Sequence, residues 1–238
     1  MDTRVALVTG SARGMGRAIA LGLAGVCGAV AVHFRSDEEG AEASVQAVRG
    51  RGAKSRAFRA DLSDEAAATG LVGAVEKEYG RLDILVNNVG PFLVKAWQEL
   101  DAKDWERILR VNLLAAFATM KAALPGMRGR RWGRIVNIGY SRGEQLGAFP
   151  KIAPYAVAKT GLVILTRTAA KTEAPHGITV NLVSPGLIRG GAMPADKTID
   201  PETLGSFEDV AGAVLSLAAE AAGKITGTNV IVAGTWKM

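Results

Sequence analysis

Short apolar runs alternating with longer helix-favouring stretches predict an α/β chain, folded as a single doubly wound parallel sheet of about seven strands with helices on both faces. Three observations carry this expectation. The alternation runs through the whole chain without an internal repeat or a low-complexity linker. A glycine-rich turn, Thr9-Gly10-Ser11-Ala12-Arg13-Gly14-Met15-Gly16, follows the first apolar run at once. Polar residues suited to chemistry recur where the expected strands end, which is where open α/β sheets bind ligands.

The chain has 238 residues, 48% of them apolar, enough for one sizeable core, and residues 1–238 are read as one domain. No apolar run approaches the roughly 20 residues that cross a bilayer. Met1-Asp2-Thr3-Arg4 leads straight into a strand, leaving no room for a signal peptide, so a cytoplasmic protein without a membrane partner is expected. Cys27 is the only cysteine, and the only histidines are His33 and His176. An internal disulfide, a Cys/His metal site and a histidine-dependent hydrolase triad are therefore not expected. The formal net charge is +6, with arginines gathered at Arg128, Arg130, Arg131 and Arg134. A basic balance suits an anionic cofactor or an acidic partner. No aromatic interleaving or helix-turn-helix pattern points to nucleic acid.

Val5 to Val8 reads as a buried strand and Gly14 to Leu23 as the helix after the turn. The turn's glycines let backbone approach backbone, and the N–H groups that open the helix can hold a pyrophosphate. This strand, turn and helix make the sheet Rossmann-type, with the spacing G-x-x-x-G-x-G instead of G-x-G-x-x-G. Ala29 to Phe34 is the second strand, with His33 read as structural. Arg35-Ser36 follows, where an Asp or Glu would bind the ribose hydroxyl of NAD. Arg35, with Arg13 from the turn, can clamp a 2′-phosphate, which favours NADPH. Ser36-Asp37-Glu38-Glu39 also matches a capping box with Ser36 as the cap, and Asp37 is a small backbone shift away from a ribose.

Arg56 to Ala60 is a weaker strand ending at Asp61-Leu62-Ser63, with Asp61 at the ligand-binding end and Ser63 capping a helix through Tyr79. Leu82 to Val86 ends in Asn87-Asn88-Val89-Gly90, whose two amides either bridge neighbouring strands or touch a cofactor. Trp105 to Met127 is a long helical stretch carrying Asn112 amid apolar residues. A buried amide needs a partner, and one bonded to backbone or water disturbs the helix locally. Gly133 to Ile138 is the fifth strand, followed by Gly139-Tyr140-Ser141. Pro154-Tyr155-Ala156-Val157-Ala158-Lys159 then opens an apolar helix with a phenol and an ammonium four residues apart, on one face. A cation beside the phenol in a partly dry site is expected to bring its pKa down towards neutrality, making an acid/base pair. Thr179 to Val183 is a sixth strand before a Ser184-Pro185-Gly186 turn, Phe207 to Leu217 a last helix and Asn229 to Val232 a last strand.

Together these residues resemble the classical short-chain dehydrogenase/reductase family, from Arg4 to about Ala233. The matching motifs are T-G-x-x-x-G-x-G at Thr9 to Gly16, Asp61, N-N-x-G at Asn87 to Gly90, Asn112, Y-x-x-x-K at Tyr155 to Lys159, and P-G at Pro185-Gly186. The resemblance implies a hydride-transfer site. In it Thr9, Gly10, Ser11, Arg13, Gly14, Met15 and Gly16 cradle the pyrophosphate, and Arg35 and Ser36 select the cofactor. Asp61 and Leu62 meet the adenine, Asn88, Val89 and Gly90 lie beside the adenosine half, and Pro185, Gly186 and Ile188 face the carboxamide. Tyr155 protonates a carbonyl oxygen, Lys159 holds the nicotinamide ribose and lowers the phenol pKa, and Asn112 positions a water linked to Lys159.

This chain departs from the family at three places. Tyr140 stands where the family has a serine, so either the neighbouring Ser141 slides into the carbonyl-binding role, the reading favoured here, or Tyr140 takes it. Gly190 replaces the threonine that follows Pro-Gly, and residues 187–206 form a short substrate lid. Within the family the chain resembles the 3-oxoacyl-acyl-carrier-protein reductases, and Arg130, Arg131 and His176 offer a basic surface for an acidic carrier. His33-Phe34-Arg35-Ser36 resembles the cofactor-selecting segment of pteridine reductases, and a cofactor-binding protein with little catalysis is the alternative of another class. The resemblance also implies a homodimer or homotetramer built through the two long helices.

Overall fold

The computed structural model describes residues 3–191 and 203–234. Its seven strands form one parallel sheet in the order β3-β2-β1-β4-β5-β6-β7. They are β1 Val5–Val8, β2 Ala29–Phe34, β3 Lys54–Arg59, β4 Ile84–Asn87, β5 Gly133–Ile138, β6 Ile178–Pro185 and β7 Asn229–Val232. The helices are α1 Gly14–Leu23, α2 Glu38–Arg49, α3 Glu65–Tyr79, α4 Ala102–Leu109, α5 Ala115–Arg130, α6 Ala153–Glu173 and α7 Phe207–Ala218.

Alternation within β1 shows how both faces of the sheet are covered. Val5 and Leu7 enter one buried cluster with residues of α3 and α5, while Ala6 and Val8 enter a second with residues of α1 and α7. Successive side chains of a strand point to opposite faces, so the doubly wound expectation holds. Because β1 pairs with both β2 and β4, the order reverses at its carboxyl end and leaves a crevice there.

Several boundaries differ from the sequence reading. Asp37, not Ser36, caps α2 by accepting from the Gly40 amide at 3.0 Å, and Asp64, not Ser63, caps α3 by accepting from Ala66 at 2.7 Å. In both cases a carboxylate one residue on reaches the free helix amides. The sixth strand runs on through Pro185, because Gly186 still donates to the Val232 carbonyl. Ala102 to Arg130 form a continuous helical stretch that is long and apolar enough to cross a membrane, against the expectation from sequence, but 56% of its most apolar window is buried inside the protein. The lid expected at 187–206 has only its ends described: Ile188 bridges Gly205, and residues 192–202 lie outside the described residues.

Three members of the arginine cluster are tied into the fold. Arg130 pairs with Asp83 and donates to the Leu82 carbonyl, Arg128 forks onto the buried Glu173, and Arg134 is buried beneath Trp132. These cations hold elements together, while Arg131, expected with Arg130 and His176 to offer a basic surface, stays exposed and donates to the Pro175 carbonyl at 3.2 Å.

Candidate active site

The site starts where β1 ends. Thr9 Oγ1 accepts from the Asn88 and Val89 amides at 2.8 and 3.0 Å, and Asn88 Nδ2 donates to the Thr9 carbonyl at 2.8 Å. Asn87 Nδ2 donates to Asn137 Oδ1 at 2.9 Å. Both amides therefore bridge strands, while Asn88 also lines the crevice and keeps its Oδ1 buried without a partner. Gly10 and Gly14 take φ of +64° and +54°, and a Cβ on Gly16 would fall 2.2 Å from the Gly10 carbonyl oxygen. Only glycine fits a turn folded back on itself this closely.

His33 sets that turn. Its Nδ1 accepts from the Gly10 amide at 2.9 Å, which leaves Nε2 to carry the proton towards the Ala60 carbonyl 3.2 Å away. Burial pushes its pKa down to about 4, so the ring is neutral at physiological pH. Ser11 is equally committed: its hydroxyl donates to Val8 and accepts from the His33 amide. Its place in the cradle is structural.

A cavity of about 550 Å³ opens above this turn. Of the residues expected at a cofactor, Gly10, Arg13, Met15, Gly16, Arg35, Asp61, Leu62, Asn88, Val89 and Gly90 line it. Thr9, Ser11, Gly14, Ser36, Tyr155, Lys159, Pro185, Gly186 and Ile188 do not. His33, Pro91, Arg107 and Val111 line it without having been singled out for contact; Arg107 and Val111 come from helical residues whose approach only the fold reveals. Asp61 accepts from the Ser63 amide and hydroxyl at 3.0 and 2.8 Å, which holds its carboxyl below the usual range and fixes it at the exit of β3. Asp37 accepts the Gly40 amide through Oδ1, and its Oδ2 lies 4.0 Å from Arg13 Nε.

The reactive end is built on α6. Lys159 is 3% exposed and donates from Nζ to the Ile138 carbonyl at 2.7 Å, and burial pushes its ammonium down to about 8. Asn112 sits in a π turn, Arg110–Leu114, between α4 and α5. Its Nδ2 donates to the Pro91 and Ile108 carbonyls, both at 3.1 Å, so the local disturbance expected of a buried amide is present. Its Oδ1 is buried without a partner. A Cβ on Gly90 would fall 2.4 Å from that oxygen and 3.2 Å from Lys159 Nζ. Gly90 thus joins the large cavity to the Asn112 and Lys159 pair, and a gap of about 10 Å³ between them is close to the size of one water.

Tyr155 lies one turn before Lys159, whose Nζ is 5.7 Å from the ring centre. Its phenol is pushed up from the ordinary value, first by burial and then by Tyr140. This reverses the expected lowering, because the amine is itself desolvated and turned to the Ile138 carbonyl. The phenol is accordingly protonated at neutral pH, the form that donates. Tyr140 faces Tyr155 with ring centres 5.6 Å apart, whereas Ser141 Oγ is buried without a partner, 3.7 Å from where a Cβ of Gly186 would stand. Gly190 has φ +77°, which a threonine at this position would not adopt without strain.

A family model described as short chain dehydrogenase matches residues 4–201. The chain belongs to the short-chain dehydrogenase family. As a short-chain dehydrogenase it is an oxidoreductase of a family that binds a nicotinamide cofactor, and the glycine cradle, the lining arginines and the unpartnered Asn88 oxygen fit a dinucleotide in the crevice. Among its relatives, 3-oxoacyl-[acyl-carrier-protein] reductase of Haemophilus influenzae is 35% identical over 98% of each chain. The crystal structure of a metagenomic blue fluorescent protein in complex with NADPH is 34% identical, covers 100% of this short-chain dehydrogenase and 99% of that chain, and superposes with a TM-score of 0.90. NAD+-bound xylitol dehydrogenase is 29% identical over 98% of each chain, with a TM-score of 0.87.

Proposed function

We propose that the protein is an NADPH-dependent reductase of a small carbonyl compound, with Tyr155 as the general acid. The observation that carries this reading is the pairing of the Tyr155 phenol with the buried Lys159 one helical turn on, joined through Gly90 to the cavity that Arg13 and Arg35 line. Arg13 and Arg35 are exposed guanidiniums at the adenosine end and would fork onto a 2′-phosphate. Asp61 would meet the adenine, Gly14 to Gly16 the pyrophosphate, and Gly186 and Ile188 the carboxamide. The bound dinucleotide supplies the hydride. Tyr155 delivers the proton to the substrate oxygen, Lys159 would hold the nicotinamide ribose, and Asn112 Oδ1 would hold the water that returns a proton through Lys159.

Ser141 remains the proposed second donor to the carbonyl, since its hydroxyl has no other partner. The ring contact of Tyr140 with Tyr155 favours a second reading in which the Tyr140 phenol takes that role. Comparison of Ser141→Ala with Tyr140→Phe decides: the variant that loses on the order of 100-fold in kcat identifies the donor.

Steady-state reduction of a ketone panel with NADPH tests the main reading. Tyr155→Phe is expected to lose at least about 1000-fold in kcat while NADPH affinity stays within about threefold; turnover equal to the wild type would remove the phenol from the mechanism. Arg35→Asp is expected to move preference from NADPH to NADH, on the order of 10- to 100-fold in the ratio of kcat/KM values. A wild type that already prefers NADH would overturn the assignment of the arginines.

A further inference from the structure

Four aromatic rings gather at the reactive end. Phe92 meets Tyr155 edge-on at 4.8 Å and 88°, Tyr140 meets it at 5.6 Å and 67°, and Phe149 meets Tyr140 at 6.4 Å and 68°. The sequence holds three Tyr and six Phe, so this cluster takes a large share of them. None of these four rings belongs to a buried core cluster among the described residues. They are therefore not explained as core packing.

Three of the rings come from two loops, and the fourth, Tyr155, stands on α6 and touches Phe92 and Tyr140. Phe92 follows β4, while Tyr140 and Phe149 lie between β5 and α6, and the Lys95 amide donates to the Lys151 carbonyl at 2.8 Å to tie the loops together. Arg142 lays its guanidinium over Phe149 at 5.0 Å and donates to Gln145, which steadies that ring from outside. Phe92 is 47% exposed, and Val94 and Leu146 of the same loops are exposed as well. Apolar surface left open beside a reactive group marks where a ligand is received.

We infer that the carbonyl substrate of this site is a planar, ring-conjugated compound of the aryl ketone kind, received against the exposed edge of the cluster that Phe92, Tyr140 and Phe149 build around Tyr155, in preference to a flexible acyl thioester. The inference rests on the reading of Tyr155 as the acid. Aromatic rings favour edge and offset contacts with another flat π-system, each adding about 2- to 12-fold in affinity beyond simple burial. Conjugation keeps the carbonyl in the plane of its ring, so a clamp that orients the ring also aims the oxygen at Tyr155. A flexible chain gains neither advantage and loses rotamer freedom on binding.

Equilibrium titration of Tyr155→Phe loaded with NADP+ separates binding from turnover. The probes are 2-acetylnaphthalene and the N-acetylcysteamine thioester of acetoacetate. The aryl ketone is expected to bind at least about tenfold more tightly, and Phe92→Leu or Phe149→Leu placed in the same background is expected to remove about 2- to 12-fold of that affinity with less than a twofold effect on the thioester. Retained NADP+ binding checks that each variant is folded. Equal affinity for the two probes, or selectivity indifferent to both leucine substitutions, overturns the inference. Turnover by the wild-type enzyme is read separately. Selective binding without reduction of any ketone upholds the clamp and defeats the reductase reading, whereas reduction of the thioester without selective binding defeats the clamp alone.

Discussion

His33 shows how much a single side chain can decide. Its imidazole is buried, accepts from Gly10 and is held neutral, with a pKa of about 4 against 6.5 for the free group. Between those values the unfolded chain binds the proton and the folded chain does not. Stability therefore rises with pH across this window and is lost as pH falls from 6.5 towards 4. One such group contributes about 3 kcal/mol when the loss is complete. Urea unfolding at pH 7 and pH 4.5 should show His33→Asn losing about 2–3 kcal/mol less than the wild type over that interval, since asparagine has no charge to bury. An identical pH dependence in the two proteins would mean that the acid lability lies elsewhere. The alternation in Ala29 to Phe34 made His33 legible as structural; its tautomer, and its grip on the glycine turn 23 residues earlier, needed β1 and β2 side by side.

At the scale of elements, a buried polar ladder positions α6 for its task. Thr119 of α5 donates to Asn87 of β4, Asn87 donates to Asn137 of β5, and Asn137 donates to Thr166 of α6, at 2.7, 2.9 and 2.9 Å. Tyr155 and Lys159 ride on the same helix, so the ladder sets the helix's height against the sheet. Thr166→Val keeps the shape and deletes one rung, leaving an Asn137 N–H with only the Met120 sulfur nearby. Denaturant titration should record a loss of about 1–3 kcal/mol, and a neutral result would show that the rung is replaceable. The sequence signals for this ladder were asparagines inside apolar strands, one of them read correctly as a possible bridge. The threonines gave no signal, because a threonine that also bonds its own helix backbone looks ordinary until a strand is laid against it. Helix caps misplaced by one residue have the same origin: Ser36 and Asp37 both suit a cap, and the chain's entry angle selects between them.

At the scale of the whole molecule, apolar side chains remain open on the outer faces of the two long helices. Leu114, closing the π turn before α5, Phe117 of α5, and Val157 and Ile164 of α6 are between 42% and 64% exposed. Solvent-facing apolar residues repeated along neighbouring helices suit association with a second copy, and a homodimer or homotetramer through these helices is the proposed assembly. Ile164→Glu places a charge on that face and should halve the sedimenting mass at micromolar concentration with little change in the far-UV spectrum. An unchanged mass in this variant would place the interface elsewhere.

The order of short apolar runs, the glycine turn and the spacing of Tyr155 and Lys159 were enough for the fold class and the family, because backbone periodicity and glycine geometry are local properties written in neighbouring residues. The tertiary structure alone decided the rest. It turned Lys159 to the Ile138 carbonyl and raised the Tyr155 phenol instead of lowering it, tied Arg128 and Arg130 into ion pairs with Glu173 and Asp83, and drew Phe92, Tyr140 and Phe149 from two loops to one cluster. Desolvation and ring contact depend on which distant segments meet, and no local spacing carries that information.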